Sequence, residues 1–599
     1  MSNNAAIHYR ITPASPEAHL FEVTLTIARP DPAGQQVTLP AWIPGSYMIR
    51  EFARNIVRIA VSCKGVKVAL TKLDKHTWQA APCAGPLTLS YEVYAWDLSV
   101  RAAHLDQSHG FFNGTSVFLR VLGQEEEAHG VDIAPPAGRG YGNWRVATAL
   151  PRAPGTKPYG FGRYAAANYD ELIDHPVEMG DFTLATFRAC GVPHDVVITG
   201  RHDCDMKRLT ADLQRICEAQ IRFFHGPRAT AKNVPYPRYV FLAMALGDGN
   251  YGGLEHRAST ALICGRNDLP YPGMGDTSES YRTFLGLASH EYFHTWNVKR
   301  IKPAAFLPYD LTRENHTSLL WAFEGFTSYY DDLVLVRSGL ISVTEYLGMI
   351  AKTVQGVLRG AGRKKQSVAE SSFDAWTKYY RQDENAPNAI VSYYTKGSLV
   401  GLCLDLLLRR ETAGRKSLDD VMRLLWREYG SKMKGVPESG VEQAAYAVAG
   451  PMAKRALTAF FRQAVYGTDD LPLAQLLESV GIEVKVERGS AASLGARTAA
   501  AAEGVKLTQV LDGGGAQQAG LSAGDVVIAI GGLKAGGANL DKLLSRKRRG
   551  AKVKVHAFRR DELIEREVTL TPAELQVTAT LAEPASATQR RLRTAWLKH

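Results

Sequence analysis

The chain has 599 residues, 45% of them hydrophobic and 22% charged, a balance that fits a globular protein, excludes a disordered one, and at this length calls for three or four domains. Its net charge of +11 is spread out, and the basic clusters at 363–365, 546–549 and 590–591 come with no phosphate loop or nucleic-acid motif, so they read as solvated faces and no nucleic-acid partner is expected. Seven scattered cysteines form neither a disulfide framework nor a metal spacing, which points to a reducing compartment.

The N-terminus has no basic region followed by an apolar one, so no signal peptide is expected. No run of 18 apolar residues occurs, so no membrane span is expected either, and the location these features imply is cytoplasmic. Residues 1–185 read as a β domain. Stretches 20–27, 57–61 and 87–95 alternate or concentrate β-formers between Pro, Gly and Asp turns, as in a sandwich or saddle-like sheet.

Residues 186–475 begin as mixed α/β and become helical. Helical periodicity covers 207–224, and a β-like run at 239–245 leads into Tyr251-Gly252-Gly253-Leu254-Glu255-His256. A helix starting near Ser278 then carries His290-Glu291-Tyr292-Phe293-His294. Residues four apart share a helix face, so both imidazoles can reach one ion, which for this donor set is Zn²⁺, with Glu291 as the base toward water. Glu324 is the candidate third ligand. It sits among Trp321, Phe323, Phe326 and Tyr329, where a carboxylate without a positive partner is costly to bury. Helices are expected to continue to Val336 with Gly339 as the stop, then over 343–358, 394–410, 418–428, 440–448 and 452–465. The polar stretch 378–388 is expected to loop over the site.

Composition shifts again over 476–575. The segment 504–510, then Ala516 to Gln518, then Ala519-Gly520-Leu521-Ser522-Ala523-Gly524-Asp525-Val526, reads as strand, short helix, turn and strand. Residues 576–599, rich in Ala, Thr and Arg, form a tail expected to be mobile or to fold back.

The His-Glu-x-x-His motif followed by Glu324-Gly325-Phe326-Thr327 resembles the gluzincin metallopeptidases, and within them the whole chain is similar to the glycyl aminopeptidase family with a C-terminal PDZ domain. Trp42-Ile43-Pro44-Gly45-Ser46-Tyr47 is one of that family's recurrent stretches. The step from His294 to Glu324 is longer than in the best-known gluzincin aminopeptidases, which places an insertion at 298–315. The resemblance implies a multidomain α+β fold: an N-terminal β domain, a thermolysin-like catalytic domain and a PDZ domain. It implies one Zn²⁺ per chain held by His290, His294 and Glu324. Gly252 and Gly253 would let a substrate backbone lie close, and Glu255 would hold its free amine, with Leu254 and His256 in place of the usual Met and Asn. Ser392-Tyr393-Tyr394-Thr395-Lys396-Gly397 is similar to the element whose tyrosine hydroxyl serves the tetrahedral intermediate. Tyr394 occupies the matching position, although Tyr393 offers the same phenol and the two are interchangeable by sequence. The Ala-Gly-Leu-x-x-Gly-Asp signature resembles a PDZ domain, and Ser493, Leu494, Gly495 and Ala496 match its carboxylate-binding loop.

The activity implied is a zinc aminopeptidase acting on peptides with a free N-terminus, with small first residues such as Gly or Ala preferred. A peptide or protein C-terminus is the partner implied for the PDZ domain. The alternatives are a metallo-endopeptidase, or a peptide-binding scaffold whose peptidase module is not catalytic.

Overall fold

In the computed structural model of the chain, residues 5–489, 491–573 and 575–598 are described. The first four residues of the N-terminus read as leaderless, and His599 of the expected tail, lie outside them. Two compact units emerge. The first comprises Met1–Asn315, Ser338–Ile341 and Trp426–Gly435, and the second His316–Arg337, Ser342–Leu425 and Val436–His599.

The first unit opens with a seven-stranded sheet in the order Gly162–Ala166, His129–Ile133, Ile7–Ser15, Leu20–Ile27, Leu87–Tyr94, Ile56–Cys63, Val66–Lys67. Alternate residues Phe21, Val23, Leu25 and Ile27, and Leu87, Leu89, Tyr91 and Val93, are buried. Side chains of a strand alternate between faces, so this pattern commits one face of the sheet to a core.

A five-stranded sheet follows in the order Thr183–Ala189, Val192–Thr199, Tyr239–Leu246, Ser259–Gly265, Tyr251–Glu255. Its middle three strands are parallel. Tyr239–Leu246 is buried on both faces, which is why its sequence is an unbroken apolar run. The Gly-Gly-Leu-Glu segment is itself a strand, paired with Ser259–Gly265 and last in the sheet's order. Two helices belong to this sheet. Met206–His225 is capped by the Asp205 carboxylate accepting from the N–H groups of Lys207 and Arg208. The motif helix Glu279–Phe293 is capped by Ser278 Oγ, which accepts from Tyr281 N at 3.1 Å. Both caps satisfy amides that the first turn of a helix leaves without partners.

The second unit begins with helices. Leu320–Phe323 and Gly325–Arg337 are separated by a break at Glu324, and Val343–Arg359 is opened by a capping box of Ser342 and Glu345. Gly339, at φ +69°, follows the second of these as the expected stop. Thr395–Glu411 crosses Gly325–Arg337 where two glycines meet: a Cβ on Gly325 would lie 2.5 Å from the carbonyl carbon of Gly397, and one on Gly397 would lie 3.0 Å from Gly325 Cα. The expected loop at 378–388 is more ordered than its polarity suggests. It leaves a π-helical turn, Ala375–Tyr379, and ends in a short helix, Ala386–Ala389, while the helix Val368–Phe373 just before it left no clear period in the sequence.

The C-terminal β region contains a six-stranded sheet built from Ala496–Ala500, Val505–Val510, Val526–Ile530, Leu533–Lys534, Lys552–Arg559 and Glu562–Thr569. Leu507, Val527, Val555, Ala557 and Val568 fill its interior. Leu575–Leu581 crosses the expected boundary at 576 and pairs antiparallel with Ile482–Arg488. Beyond it the helix Ala587–Leu597 buries Trp596 completely, and Trp596 Nε1 donates to the Tyr329 hydroxyl at 2.9 Å. The segment past 575 is therefore folded back onto the helices. Among the described residues no helix is long and apolar enough to cross a membrane.

Candidate active site

In the first unit, His290 and His294 stand one helical turn apart with their Nε2 atoms 3.0 Å from each other and their rings at 82°. The 2.6 Å contact of His294 Nδ1 with the Asn297 carbonyl fixes the proton on Nδ1, because a carbonyl can only accept. Nε2 of His294 therefore presents its lone pair to the point that His290 Nε2 also faces. Two lone pairs would repel at that distance, so the pair is made for a proton or a cation between them, and an imidazole whose other nitrogen is tied to a carbonyl is the usual form of a metal ligand.

Two buried carboxylates lie beside these histidines. Ligand atoms of Glu255, Glu291 and His294 lie within 4.8 Å of one another. Bringing two carboxylates together away from water favours a cation beside them. The edge strand makes room for this: a Cβ on Gly253 would fall 2.1 Å from Glu291 Oε1, so any side chain there would push that carboxylate aside. Gly252 differs. Its Cβ position meets nothing closer than Arg101 Nη1 at 3.8 Å, so that position has space for a side chain. Glu255 in turn lies against Gly45, at φ +96°, where a Cβ would come within 2.5 Å of Glu255 Oε2. Gly45 was not singled out by the sequence reading, although the Trp-Ile-Pro-Gly-Ser-Tyr stretch around it was.

The motif helix is held from both sides. Gln220 Nε2 donates to the carbonyl and the hydroxyl of Ser289 at 2.9 and 3.0 Å. His194 donates from Nδ1 to the Val192 carbonyl and accepts the Tyr292 hydroxyl on Nε2 at 2.8 Å. Burial pushes His194 down to about 4, which keeps Nε2 an acceptor. The insertion after the motif closes the helix's C-terminal end. Arg300 donates to the carbonyls of Thr295 at 2.8 Å, Arg257 at 3.0 Å and Pro235 at 2.9 Å, placing a cation where the helix leaves carbonyls exposed. Burial lowers Arg300 to about 10. Its neighbour Lys299 pairs with Asp174 at 2.6 Å. Burial works to raise the Asp174 carboxyl, but Lys299 and Arg257 outweigh it and hold the group well below the usual carboxylate range.

The second unit carries Glu324 and the tyrosines. Glu324 is buried at the break between two helices, and its negative charge helps raise the phenols of Tyr379 and Tyr393, burial being the larger cause in each. Burial also separates the two candidate tyrosines. Tyr393 is 0% exposed, its ring tilted against Tyr379, whereas Tyr394 is only partly buried, with its hydroxyl 3.3 Å from that of Tyr380.

In the candidate carboxylate loop, Gly495 takes φ +74°, and a Cβ there would lie 2.5 Å from Gly514 Cα. Ser493 Oγ accepts from Gly495 N at 3.0 Å, Leu494 is buried, and Ala496 begins an exposed edge strand.

Comparison with known proteins gives three family matches: the Peptidase M61 N-terminal domain over residues 8–181, M61 glycyl aminopeptidase over 283–400 and a PDZ domain over 479–570. No curated protein matches. A crystal structure of an aminopeptidase N family protein from Idiomarina loihiensis is 41% identical, with 99% of this chain and 100% of that one covered at a TM-score of 0.93. An M1 zinc metallopeptidase from Deinococcus radiodurans, crystallised as a mutant with a Tyr-Ser-Ala substrate, is 16% identical over 78% of this chain and 94% of that one, at a TM-score of 0.47. The chain therefore belongs to the M61 glycyl aminopeptidase family and carries a C-terminal PDZ domain.

Proposed function

We propose that the chain is a zinc-dependent aminopeptidase that releases small N-terminal residues, Gly or Ala, from peptides. The observation that carries this reading is the facing pair of Nε2 atoms at 3.0 Å beside the buried carboxylates of Glu255 and Glu291. In it His290, His294 and Glu324 hold one Zn²⁺. A bound zinc ion supplies Lewis-acid activation of water and of the scissile carbonyl.

The chain's own residues do the rest. Glu291, kept against Gly253, accepts the proton of the attacking water and passes it to the departing amine. The Tyr394 hydroxyl donates to the oxyanion, a task for which a phenol is suited because it stays protonated at neutral pH. Glu255 binds the substrate's ammonium group. An anchor at the chain end, next to the catalytic carboxylate, confines cleavage to the first peptide bond. The substrate's backbone lies beside the strand Tyr251–Glu255, where Gly252 leaves space.

The test compares Gly-Ala-Ala with its N-acetylated form. A preference of at least about 10²-fold in kcat/KM for the free amine is expected from the loss of a charge-assisted contact in a buried site. Equal turnover of the two would instead make the protein an endopeptidase.

A further inference from the structure

The PDZ sheet and the segment that ends in Tyr394 are joined by one buried side chain. Asn388, 5% exposed, donates from Nδ2 to the Val510 carbonyl at 2.8 Å and accepts the Asp512 N–H on Oδ1 at 2.9 Å, while Nδ2 also reaches Asn385 Oδ1 at 3.1 Å. The two PDZ bonds are those a neighbouring strand would make, so the amide stands in for backbone and fixes the turn at 510–512 in one register. Beside it Lys365 pairs with the Asp512 carboxylate. The same turn supports the carboxylate loop from its other side, through Leu511 N to the Gly495 carbonyl at 2.9 Å, with Ala516 N to the Leu494 carbonyl at 2.7 Å just beyond.

On the catalytic side the chain runs six residues from Asn388 to Tyr394. Ile390 N is bonded to the Ala386 carbonyl at 3.0 Å, and the Ile390 carbonyl lies where a Cβ on Gly362 would be 2.1 Å away. Val391 N donates to Gln366 Oε1 at 3.1 Å. Ser392 Oγ bonds the Tyr379 hydroxyl at 3.2 Å and accepts Thr395 N at 3.1 Å. Asn388, Ile390, Val391 and Ser392 of this short strap each have a fixed partner, and Asn388 is tied to the PDZ domain.

We infer that Asn388 is a positioning residue for the Tyr394 hydroxyl, so that the PDZ domain contributes to turnover by anchoring the strap on which that hydroxyl is carried. This inference rests on the role given to Tyr394 under the proposed function. A phenol placed for an oxyanion loses its effect over displacements of about 1 Å, so the tether acts on the chemical step and leaves ground-state binding alone.

The experiment is a double-mutant cycle in the full chain, with Gly-p-nitroanilide as substrate. Tyr394→Phe is expected to lower kcat by roughly 10²-fold. Asn388→Ala is expected to lower kcat by about tenfold with KM changed less than about twofold, and to cost nothing further in the Tyr394→Phe background, since a tether acting through the hydroxyl has nothing left to position. Asn388→Ser, which stays neutral and keeps a polar group without placing a charge against the Val510 carbonyl, serves as the milder variant should the alanine form fail to fold, with a smaller loss that again vanishes beside Tyr394→Phe. Equal losses from an Asn388 variant in both backgrounds would overturn the inference, as would an unchanged kcat in the Asn388 single variants. An unchanged kcat in Tyr394→Phe alone would instead overturn the role of Tyr394.

Discussion

At position 253 a single methyl group is enough to disturb the site. A Cβ there would meet Glu291 Oε1 at 2.1 Å, so Gly253→Ala is expected to displace the carboxylate proposed as the base and lower kcat at least about tenfold while zinc content, read by elemental analysis, stays the same. Glu291→Gln keeps the volume and removes the proposed base, and should lower kcat by about 10²–10⁴-fold, again with the metal retained. Loss of zinc along with activity in that variant would show Glu291 to be a ligand and not the base. Lys302 supplies a prediction of another kind. It is buried over the Tyr309 ring at 4.6 Å, and burial pushes its amine down to about 7. A base whose folded pKa is depressed binds fewer protons folded than unfolded between about 7 and its ordinary value of 10.5, so its contribution to stability rises with pH across that window and is a penalty below it. Lys302→Met should therefore raise the denaturation midpoint more at pH 6 than at pH 10. An equal shift at both would place the ammonium in a site that does not disfavour its charge. The sequence could name His290, Glu291 and His294 because their relation is local and set by helix geometry. Gly45 was illegible as a neighbour of Glu255, because the two are more than two hundred positions apart and nothing in either segment reports their meeting.

Among the elements, those that announced themselves did so through their ends. The helices expected from near Ser278 and over 343–358 start in the structure at Glu279 and Val343, each behind a serine cap, because a cap is a short-range device written in adjacent residues. The edge strand was harder, since Gly252 and Gly253 weaken strand propensity and its order comes from pairing with Ser259–Gly265. Tyr393 and Tyr394 show the limit of propensity alone: both suit the position, and only burial in the finished fold tells core from surface. The glycines of the two motif segments have a packing reason that the sequence held without explaining. Gly325 and Gly397 are where two helices touch backbone to backbone, and a Cβ on Gly325 would lie within 2.5–2.6 Å of Gly397 backbone atoms. Gly325→Ala should therefore cost about 1–3 kcal/mol or more through overpacking, with a lower denaturation midpoint and reduced activity together. A variant as stable as the parent would mean that the crossing can open without loss.

For the molecule as a whole, composition gave the class and the motifs gave the family, but the roles of the C-terminal segments came only from the fold. The tail's polar, Arg-rich sequence concealed a helix that inserts Trp596 beside Tyr329, with Arg337 Nε and Arg409 Nη1 donating to the carbonyls of Trp596 and Ala595 at 3.0 and 2.7 Å. Trp596→Ala should cost about 3–5 kcal/mol, measured as a shift in the urea midpoint of the full chain. A shift close to zero would mean that the helix is not docked in solution. The predictions for Gly253 and Glu291 presuppose that this constellation of imidazoles and carboxylates is a zinc enzyme's. The most direct measurement removes the metal completely with a chelator, confirms its absence by elemental analysis, and follows hydrolysis of Gly-p-nitroanilide before removal, after it, and after one equivalent of Zn²⁺ is returned. Activity is expected to disappear with the metal and to return with a single zinc per chain; hydrolysis that continues at the original rate in metal-free protein would contradict a zinc mechanism.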